Sequence, residues 1–339
     1  MSDPNGQSQQ KSRAGLWITV VLAVGCILAL LLSIIGGVGY LVLVKNNAGP
    51  AASESTSGAP TESESTSTSG TATVTDEPSP TFEVIAPDET PPVGPGQIRA
   101  ILADNPITSG SLPRVGTCAL PDAPLNPTKE QLQDLLNAAA GCLDQVWAGA
   151  MSDRNLGWSM PRVVVFEGAA PQGSRCTADT FRKDSPRMCN LDNTIYWPVT
   201  TSWKAEPTTV AELKAAAVAG LSYYVTQAML WQSSVSIYAN YLMDKYKNAG
   251  LAEEERMAIH RWNFQARCIA MASVSVLPQE VQPTGSYRDR YLDPAAHKGS
   301  EPPFDYKGET IAEWFRRGLD SQGDLATCNV WTVSEDEVS

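Results

Sequence analysis

The sequence has very few histidines and no excess of basic residues. Only two histidines occur among 339 residues, and both lie after residue 259. Lysine and arginine number 25 against 37 aspartates and glutamates, a net charge of −12. Nucleic acid phosphates are bound by concentrated basic side chains, so this balance argues against a nucleic acid partner. A metal site built from histidines close together in sequence is excluded as well.

Charge is also missing from a long segment near the N-terminus, since residues 14–44 contain no charged side chain. About 20 apolar residues cross a bilayer, so the segment predicts one transmembrane helix over residues 14–44. A cleaved signal peptide is the alternative, although its apolar region usually covers only about 7–15 residues. Lys11 and Arg13 precede the segment, and only Lys45 follows closely. Basic residues favour the cytoplasmic side, so residues 1–13 are expected to form a cytoplasmic tail of a single-pass cell-membrane protein.

The next segment is almost free of basic and large apolar residues. Residues 46–97 contain no lysine or arginine and consist mostly of serine, threonine, proline, glycine, alanine and acidic residues. Such a composition cannot bury enough apolar surface to offset chain entropy. The sequence therefore predicts a disordered acidic linker over residues 45–97, followed by an extracytoplasmic domain over residues 98–339.

Seven cysteines occur, and all but Cys26 lie in the predicted extracytoplasmic part. An even number of cysteines in an oxidising compartment predicts three disulfides, with buried free thiols as the alternative. The sequence alone leaves their pairing open. The cysteines concerned are Cys118, Cys142, Cys176, Cys189, Cys268 and Cys328.

Patterning in residues 98–339 predicts a mainly helical α+β domain. Thr128 and Gln131 form a capping box before apolar residues at helical spacing, which predicts a helix. Runs rich in β-branched and aromatic residues at 162–167 and 193–197 predict short strands. Further helices are expected at 209–230, with a continuation to residue 240 left open, at 252–276 and from residue 308. Strands followed by helices are typical of the α+β class.

Three stretches, in this order, resemble the neutral zinc metallopeptidase family of bacterial envelope proteins. Residues 189–196 read Cys-Asn-Leu-Asp-Asn-Thr-Ile-Tyr and are similar to the family's Cys-Pro-x-Asp-x-x-Ile-Tyr strand. Residues 261–268 read Arg-Trp-Asn-Phe-Gln-Ala-Arg-Cys and are similar to its Arg-x-Glu-Leu-Gln-Ala-Asp-Cys helix. Trp314-Phe-Arg-Arg-Gly318, followed by Gly-Asp and Cys-Asn, is similar to its C-terminal motif. The resemblance spans about residues 108–332 and implies a zincin-like fold.

The resemblance also implies that the family's metal chemistry is lost from this chain. Family members carry His-Glu-x-Gly-His-His-Val-Gln, in which two imidazoles bind zinc and the glutamate activates water. The matching positions place Ala219 at the first ligand, Gly220 at the general base and Tyr223 at the second ligand. Asn263 stands at the third ligand and Arg267 at the aspartate after it. If the alignment is shifted by one residue, Gln227 matches the last residue of the family motif. No histidine is supplied in that alignment either.

The expected protein is therefore a catalytically inactive, membrane-anchored member of that family, without metal or cofactor. A cleft without zinc, lined by Tyr223, Tyr224, Asn263 and Arg267, could bind an envelope protein, a peptide or a glycan; the alternative is that the tyrosines only pack helices. A second hypothesis is an active metallopeptidase with unfamiliar ligands that include His260.

Other residues receive structural interpretations. His260 is expected to be a surface or partly buried helix residue, and His297 a solvated loop residue. The resemblance implies the disulfide pairs Cys118–Cys142, Cys176–Cys189 and Cys268–Cys328.

Overall fold

A computed structural model describes residues 80–297 and 302–339 of the chain. The expected cytoplasmic tail, the transmembrane helix over residues 14–44 and most of the linker lie outside these residues. Within the described ranges, no helix combines the length and the apolar character needed to cross a membrane.

The described residues form seven α-helices and three short strands, which confirms the mainly helical α+β class. The strands are β1 (Arg162–Phe166), β2 (Arg187–Cys189) and β3 (Thr194–Pro198). The helices are α1 (Pro95–Ala103), α2 (Lys129–Ser152), α3 (Val210–Gln232), α4 (Val235–Asn248), α5 (Ala252–Ser275), α6 (Gly285–Tyr291) and α7 (Gly308–Asp320). The capping box at Thr128 begins α2 as predicted, with the hydroxyl accepting from the Gln131 N–H.

The three strands form one sheet in the order β1-β3-β2. β3 pairs in parallel with β1 and antiparallel with β2, and all its residues are buried. Asn193, which precedes β3, adopts a left-handed φ of 48°, a conformation that asparagine tolerates in tight turns. The turn directs Trp197 at the end of β3 toward the helical core, where it is 1% exposed.

α5 is the central helix and packs against α3, α4 and α7. Its residues from Cys268 to Ser275 are all buried. α7 crosses it at Gly318, where a Cβ atom would overlap the Cys268 carbonyl oxygen and the Met271 side chain. Glycine at this position therefore allows close contact between the two helices. This contact explains why the Trp-Phe-x-x-Gly stretch ends in glycine.

Three disulfides connect the fold, and their pairing is the one that the resemblance implies. Cα–Cα separations are 5.4 Å for Cys118–Cys142, 6.0 Å for Cys176–Cys189 and 5.4 Å for Cys268–Cys328. The first pair joins the preceding loop to α2, and the second ties the loop after β1 to β2. The third connects α5 to the C-terminal segment.

The expected disorder of residues 80–97 is contradicted by their contacts. The Phe82 ring lies 5.7 Å from the ring of Tyr238 on α4. The Tyr238 hydroxyl donates to the Glu83 carbonyl, and α1 already begins at Pro95. The average composition of the linker concealed the few apolar residues that dock here, which are Phe82, Ile85 and Val93.

The possible continuous helix from residue 209 to residue 240 is interrupted by Ser233 and Ser234. Ser234 adopts a left-handed φ of 65° and begins α4. Its hydroxyl accepts from the Ile85 N–H at 3.0 Å and donates to the Ile85 carbonyl at 2.9 Å. Serine side chains compete with helical backbone bonding, and here the partner is the segment preceding α1. The short elements α1, β2 and α6 were not predicted from the sequence.

Candidate functional site

The positions that the resemblance assigns to the zinc site gather around one cavity. Ala219, Gly220, Tyr223 and Tyr224 line it from α3, and Arg267 lines it from α5. We call it the aromatic cavity, because the rest of its wall is rich in aromatic rings. Its volume is about 260 Å³. The wall also includes Trp197, Trp203, Lys204, Tyr287, Tyr291 and Phe315.

Gly220 stands where the family has its general base, and the packing explains why no side chain is present. A Cβ built on Gly220 would lie 3.0 Å from Cη2 of Trp197 and 3.8 Å from Cζ3 of Trp203. The two indole rings are 5.8 Å apart, and Trp197 also meets Tyr224 edge-on at 6.0 Å. An aromatic cluster therefore fills the space that a glutamate side chain would need.

Asn263, at the position of the third ligand, is buried and holds neighbouring side chains in place. Its Oδ1 lies 3.4 Å from the Tyr223 hydroxyl and 3.3 Å from Nη1 of Arg267. Its own Nδ2 donates to the Ile259 carbonyl at 2.9 Å. Because the amide is neutral, Asn263 orients the guanidinium without cancelling its charge.

Arg267 is surrounded by aromatic faces and has no carboxylate within ion-pair distance among residues 80–297 and 302–339. Its Cζ atom lies 5.5 Å from the Tyr223 ring centroid and 5.2 Å from that of Tyr306. Cations are attracted to such ring faces within about 6 Å. This attraction stabilises the guanidinium at the cavity wall.

Lys204 brings a second cation to the same cavity. The Lys204 side chain is exposed, and partial desolvation together with the nearby charge of Arg267 lowers its pKa. Burial raises the pKa of the Tyr224 phenol, so Tyr224 stays neutral. No aspartate or glutamate belongs to the described wall, which is therefore positive.

These residues do not fit a zinc ion. Zinc is held by imidazole, thiolate or carboxylate groups, whereas the matching positions carry a methyl group, a hydrogen, a phenol and an amide. Arg267 and Lys204 would also repel a dication. In the parts of the chain that the structure describes, no cluster of three or more His, Cys, Asp or Glu residues has metal-site geometry.

Both histidines are buried inside the fold. The expectation of a surface or partly buried His260 is wrong, because His260 is 0% exposed, with its Nδ1 and Nε2 lying 2.8 Å from the Val338 carbonyl and 3.3 Å from the Asp305 carboxylate. The expectation of a solvated His297 is wrong, because His297 is 3% exposed. Its Nε2 lies 2.6 Å from the Tyr291 carbonyl, and its ring packs 5.2 Å from that of Phe315. His297 thus packs against α6 and α7 through Tyr291 and Phe315. The polar residues next to His297 in the sequence did not reveal this burial.

The sequence did not identify Lys204, Trp197, Tyr291 or Phe315 as cavity residues. These residues come from four separate elements, and only the tertiary fold brings them together. One signal was available, namely the Trp203-Lys204 pair inside an otherwise polar loop. Tryptophan in a polar loop often covers a pocket or a neighbouring element.

No family model, no curated protein and no solved structure matches this chain in comparisons with known proteins.

Proposed function

We propose that this protein is a membrane-anchored, extracytoplasmic binding or scaffold module of the bacterial cell envelope. It is related to neutral zinc metallopeptidases but catalytically inactive. Its aromatic cavity holds a ligand where family members hold zinc. The resemblance supports the relationship to the metallopeptidases, and the geometry of the cavity supports the binding role.

The observation that carries the proposal is the chemistry of the aromatic cavity. Ala219, Gly220, Tyr223 and Asn263, the positions matched to the ligands and the base, surround or adjoin it without a metal-binding group. Arg267 and Lys204 make the wall positive instead. A concave, largely apolar pocket with a few polar groups is the usual form of a small-ligand site.

The membrane anchor and the extracytoplasmic location are supported by sequence and by disulfides. Residues 14–44 carry no charge, and Lys11 and Arg13 precede them. All six cysteines of the described domain are paired, which suits an oxidising compartment.

The test is the zinc content and peptidase activity of the full-length chain. The protein is purified in phospholipid nanodiscs without chelators, through a tag that contains no histidine. Zinc is measured by elemental mass spectrometry, and cleavage is followed on a quenched fluorescent peptide library. We expect zinc far below one ion per chain and no chelator-sensitive cleavage.

A stoichiometric zinc ion together with chelator-sensitive cleavage would overturn the proposal in favour of an active metallopeptidase. In that case the variant His260→Ala would show whether this histidine takes part. Its circular dichroism must match that of the wild type, because His260 is buried.

A further inference from the structure

We propose that the ligand of the aromatic cavity is a carboxylate attached to an aromatic or apolar body, bound by Arg267 and Lys204. This inference rests on the proposed function, because it names the ligand class of the same site. It depends on three features of the wall, namely the donors of the guanidinium, the unbalanced charge and the surrounding rings.

The first feature is an unused donor edge on Arg267. Asn263 accepts from Nη1 of Arg267 through its backbone carbonyl and its side-chain Oδ1, both at 3.3 Å. Neither Nε nor Nη2 donates a hydrogen bond of ordinary geometry to a described residue; the Tyr306 ring lies 5.2 Å from Cζ of Arg267, and its hydroxyl interacts with the guanidinium. These two nitrogens form one edge of the guanidinium, and that edge matches the two oxygens of a carboxylate through parallel N–H···O bonds.

The second feature is an excess of positive charge. Arg267 and Lys204 both line the aromatic cavity, whose described wall contains no aspartate or glutamate. Two cations without a counter-charge repel each other, and the repulsion is stronger near protein than in bulk water. A bound anion would relieve this repulsion, whereas a neutral or cationic ligand would not.

The third feature is the aromatic wall, which selects the rest of the ligand. Trp197, Trp203, Tyr291 and Phe315 line the same cavity as the two cations. Rings pack favourably against other rings and against aliphatic groups. The volume of about 260 Å³ lies just below the range of about 300–1,000 Å³ for pockets that hold drug-sized ligands. The site therefore suits a small acid or one terminal residue of a peptide.

Asn263 is a positioning residue in this arrangement. It fixes Arg267 at Nη1 and leaves the Nε–Nη2 edge available. A carboxylate at this position would form an internal ion pair with Arg267 and compete with the ligand. The variant Asn263→Asp, which preserves the side-chain shape, is therefore expected to weaken anion binding.

The experiment is calorimetric titration of the full-length protein in nanodiscs with two matched probes. N-acetyl-phenylalanine carries the carboxylate, and N-acetyl-phenylalaninamide is its neutral counterpart. We expect the acid to bind at least about tenfold more tightly than the amide, since hydrogen bonds to charged groups are the stronger kind. Equal affinity for acid and amide, or binding of neither, would overturn the inference.

Variants test whether the named residues cause the preference. Arg267→Met and Asn263→Asp are each expected to reduce the affinity for the acid by about tenfold or more. The affinity for the amide should change by a much smaller factor, because the amide makes no ion pair. Arg316→Met is the matched control, because Arg316 is exposed on α7 and pairs with Glu313. An acid affinity that is the same in Arg267→Met and Arg316→Met would refute the assignment.

A third probe separates the two sources of such a carboxylate. A tripeptide ending in phenylalanine that binds more tightly than N-acetyl-phenylalanine supports a peptide C-terminus, whereas equal binding supports a small free acid. The outcome is independent of the zinc measurement. Zinc with peptidase activity refutes the proposed function, whereas a lack of acid preference refutes only this inference.

Discussion

Gly220 shows how the packing of two indole rings leaves no space for a side chain at one helix position. Alanine is normally the better helix former by about 1 kcal/mol. At this position the added methyl group would lie 3.0 Å from Trp197, which is buried. Overpacking a core typically costs about 1–3 kcal/mol.

We therefore expect Gly220→Ala to lower the free energy of unfolding by about 1 kcal/mol, the overpacking cost less the gain in helix propensity. Urea denaturation followed by circular dichroism measures it. Gly141→Ala is the matched control, because Gly141 lies within α2 and its Cβ would meet nothing within 4 Å. The control should gain about 1 kcal/mol. Equal stabilisation by both changes would show that Trp197 does not occupy this space.

His297 packs against Tyr291 and Phe315 of the cavity wall, and its lowered pKa makes the stability of this region depend on pH. Burial lowers the pKa of His297 below its ordinary 6.5, the Tyr291 carbonyl opposes this, and the charges of Lys204 and Arg267 lower the pKa further. Asp293 opposes the shift weakly. Below the ordinary pKa the unfolded chain takes up a proton that the folded chain does not, so acid favours unfolding.

The stability contributed by neutral His297 is complete above pH 6.5 and declines as the pH falls toward the lowered folded-state pKa. We expect the free energy of unfolding of the wild type to fall as the pH is lowered below about 6.5. His297→Gln, which can still donate to the Tyr291 carbonyl, should lose most of this slope. Urea titrations at several pH values give the comparison. An unchanged slope in His297→Gln would show that the titrating group lies elsewhere.

At the residue scale, the sequence identified the α3 and α5 positions of the cavity but not their partners. Tyr223, Tyr224 and Arg267 lie on two helices whose spacing is visible in the sequence. Lys204 and Phe315 reach the same space from a loop and from α7, through contacts that no local pattern encodes. His297 was assigned to solvent because its neighbours are polar.

At the scale of elements, one hydroxyl group at the boundary between α3 and α4 anchors the segment around Ile85. Ser234 bonds both the N–H and the carbonyl of Ile85, as a neighbouring strand would do. Helical spacing continues across this boundary in the sequence, so the break could not be predicted from periodicity. The strands and the start of α2 were predictable, because β-branched runs and a capping box are local signals.

We expect Ser234→Ala to release the segment around Ile85 while leaving the helices intact. Each lost hydrogen bond contributes about 0.5–1.5 kcal/mol, and both anchor the same residue. Hydrogen–deuterium exchange should become faster at the Ile85 amide. Ser233→Ala is the control, because the Ser233 hydroxyl donates to Leu230 of its own helix. Equal acceleration in both variants would contradict this role of Ser234.

For the whole molecule, the disulfides distribute stability unevenly. Cys268–Cys328 closes a loop with a sequence separation of 60, whereas Cys176–Cys189 closes one of 13. A disulfide stabilises the fold by restricting the unfolded chain, and this stabilisation grows with loop length. It is about 4 kcal/mol for the longer loop and about 3 kcal/mol for the shorter one. The longer bridge also joins the central helix α5 to the C-terminal segment.

The double variant Cys268→Ala/Cys328→Ala should therefore be less stable than Cys176→Ala/Cys189→Ala by about 1 kcal/mol. Urea unfolding of both variants without reductant gives the difference. Alanine keeps the backbone in both cases, so each variant serves as the other's control. A larger loss from the shorter loop would show that local packing around β2, and not loop closure, dominates.

We propose that Arg267 and Lys204 bind a carboxylate in the aromatic cavity without any metal. One measurement addresses it directly, namely titration of the full-length protein with N-acetyl-phenylalanine, with and without a zinc chelator. If Arg267 and Lys204 hold the carboxylate, the affinity is the same under both conditions and unaffected by added zinc. Binding that disappears with the chelator and returns with zinc would contradict the claim.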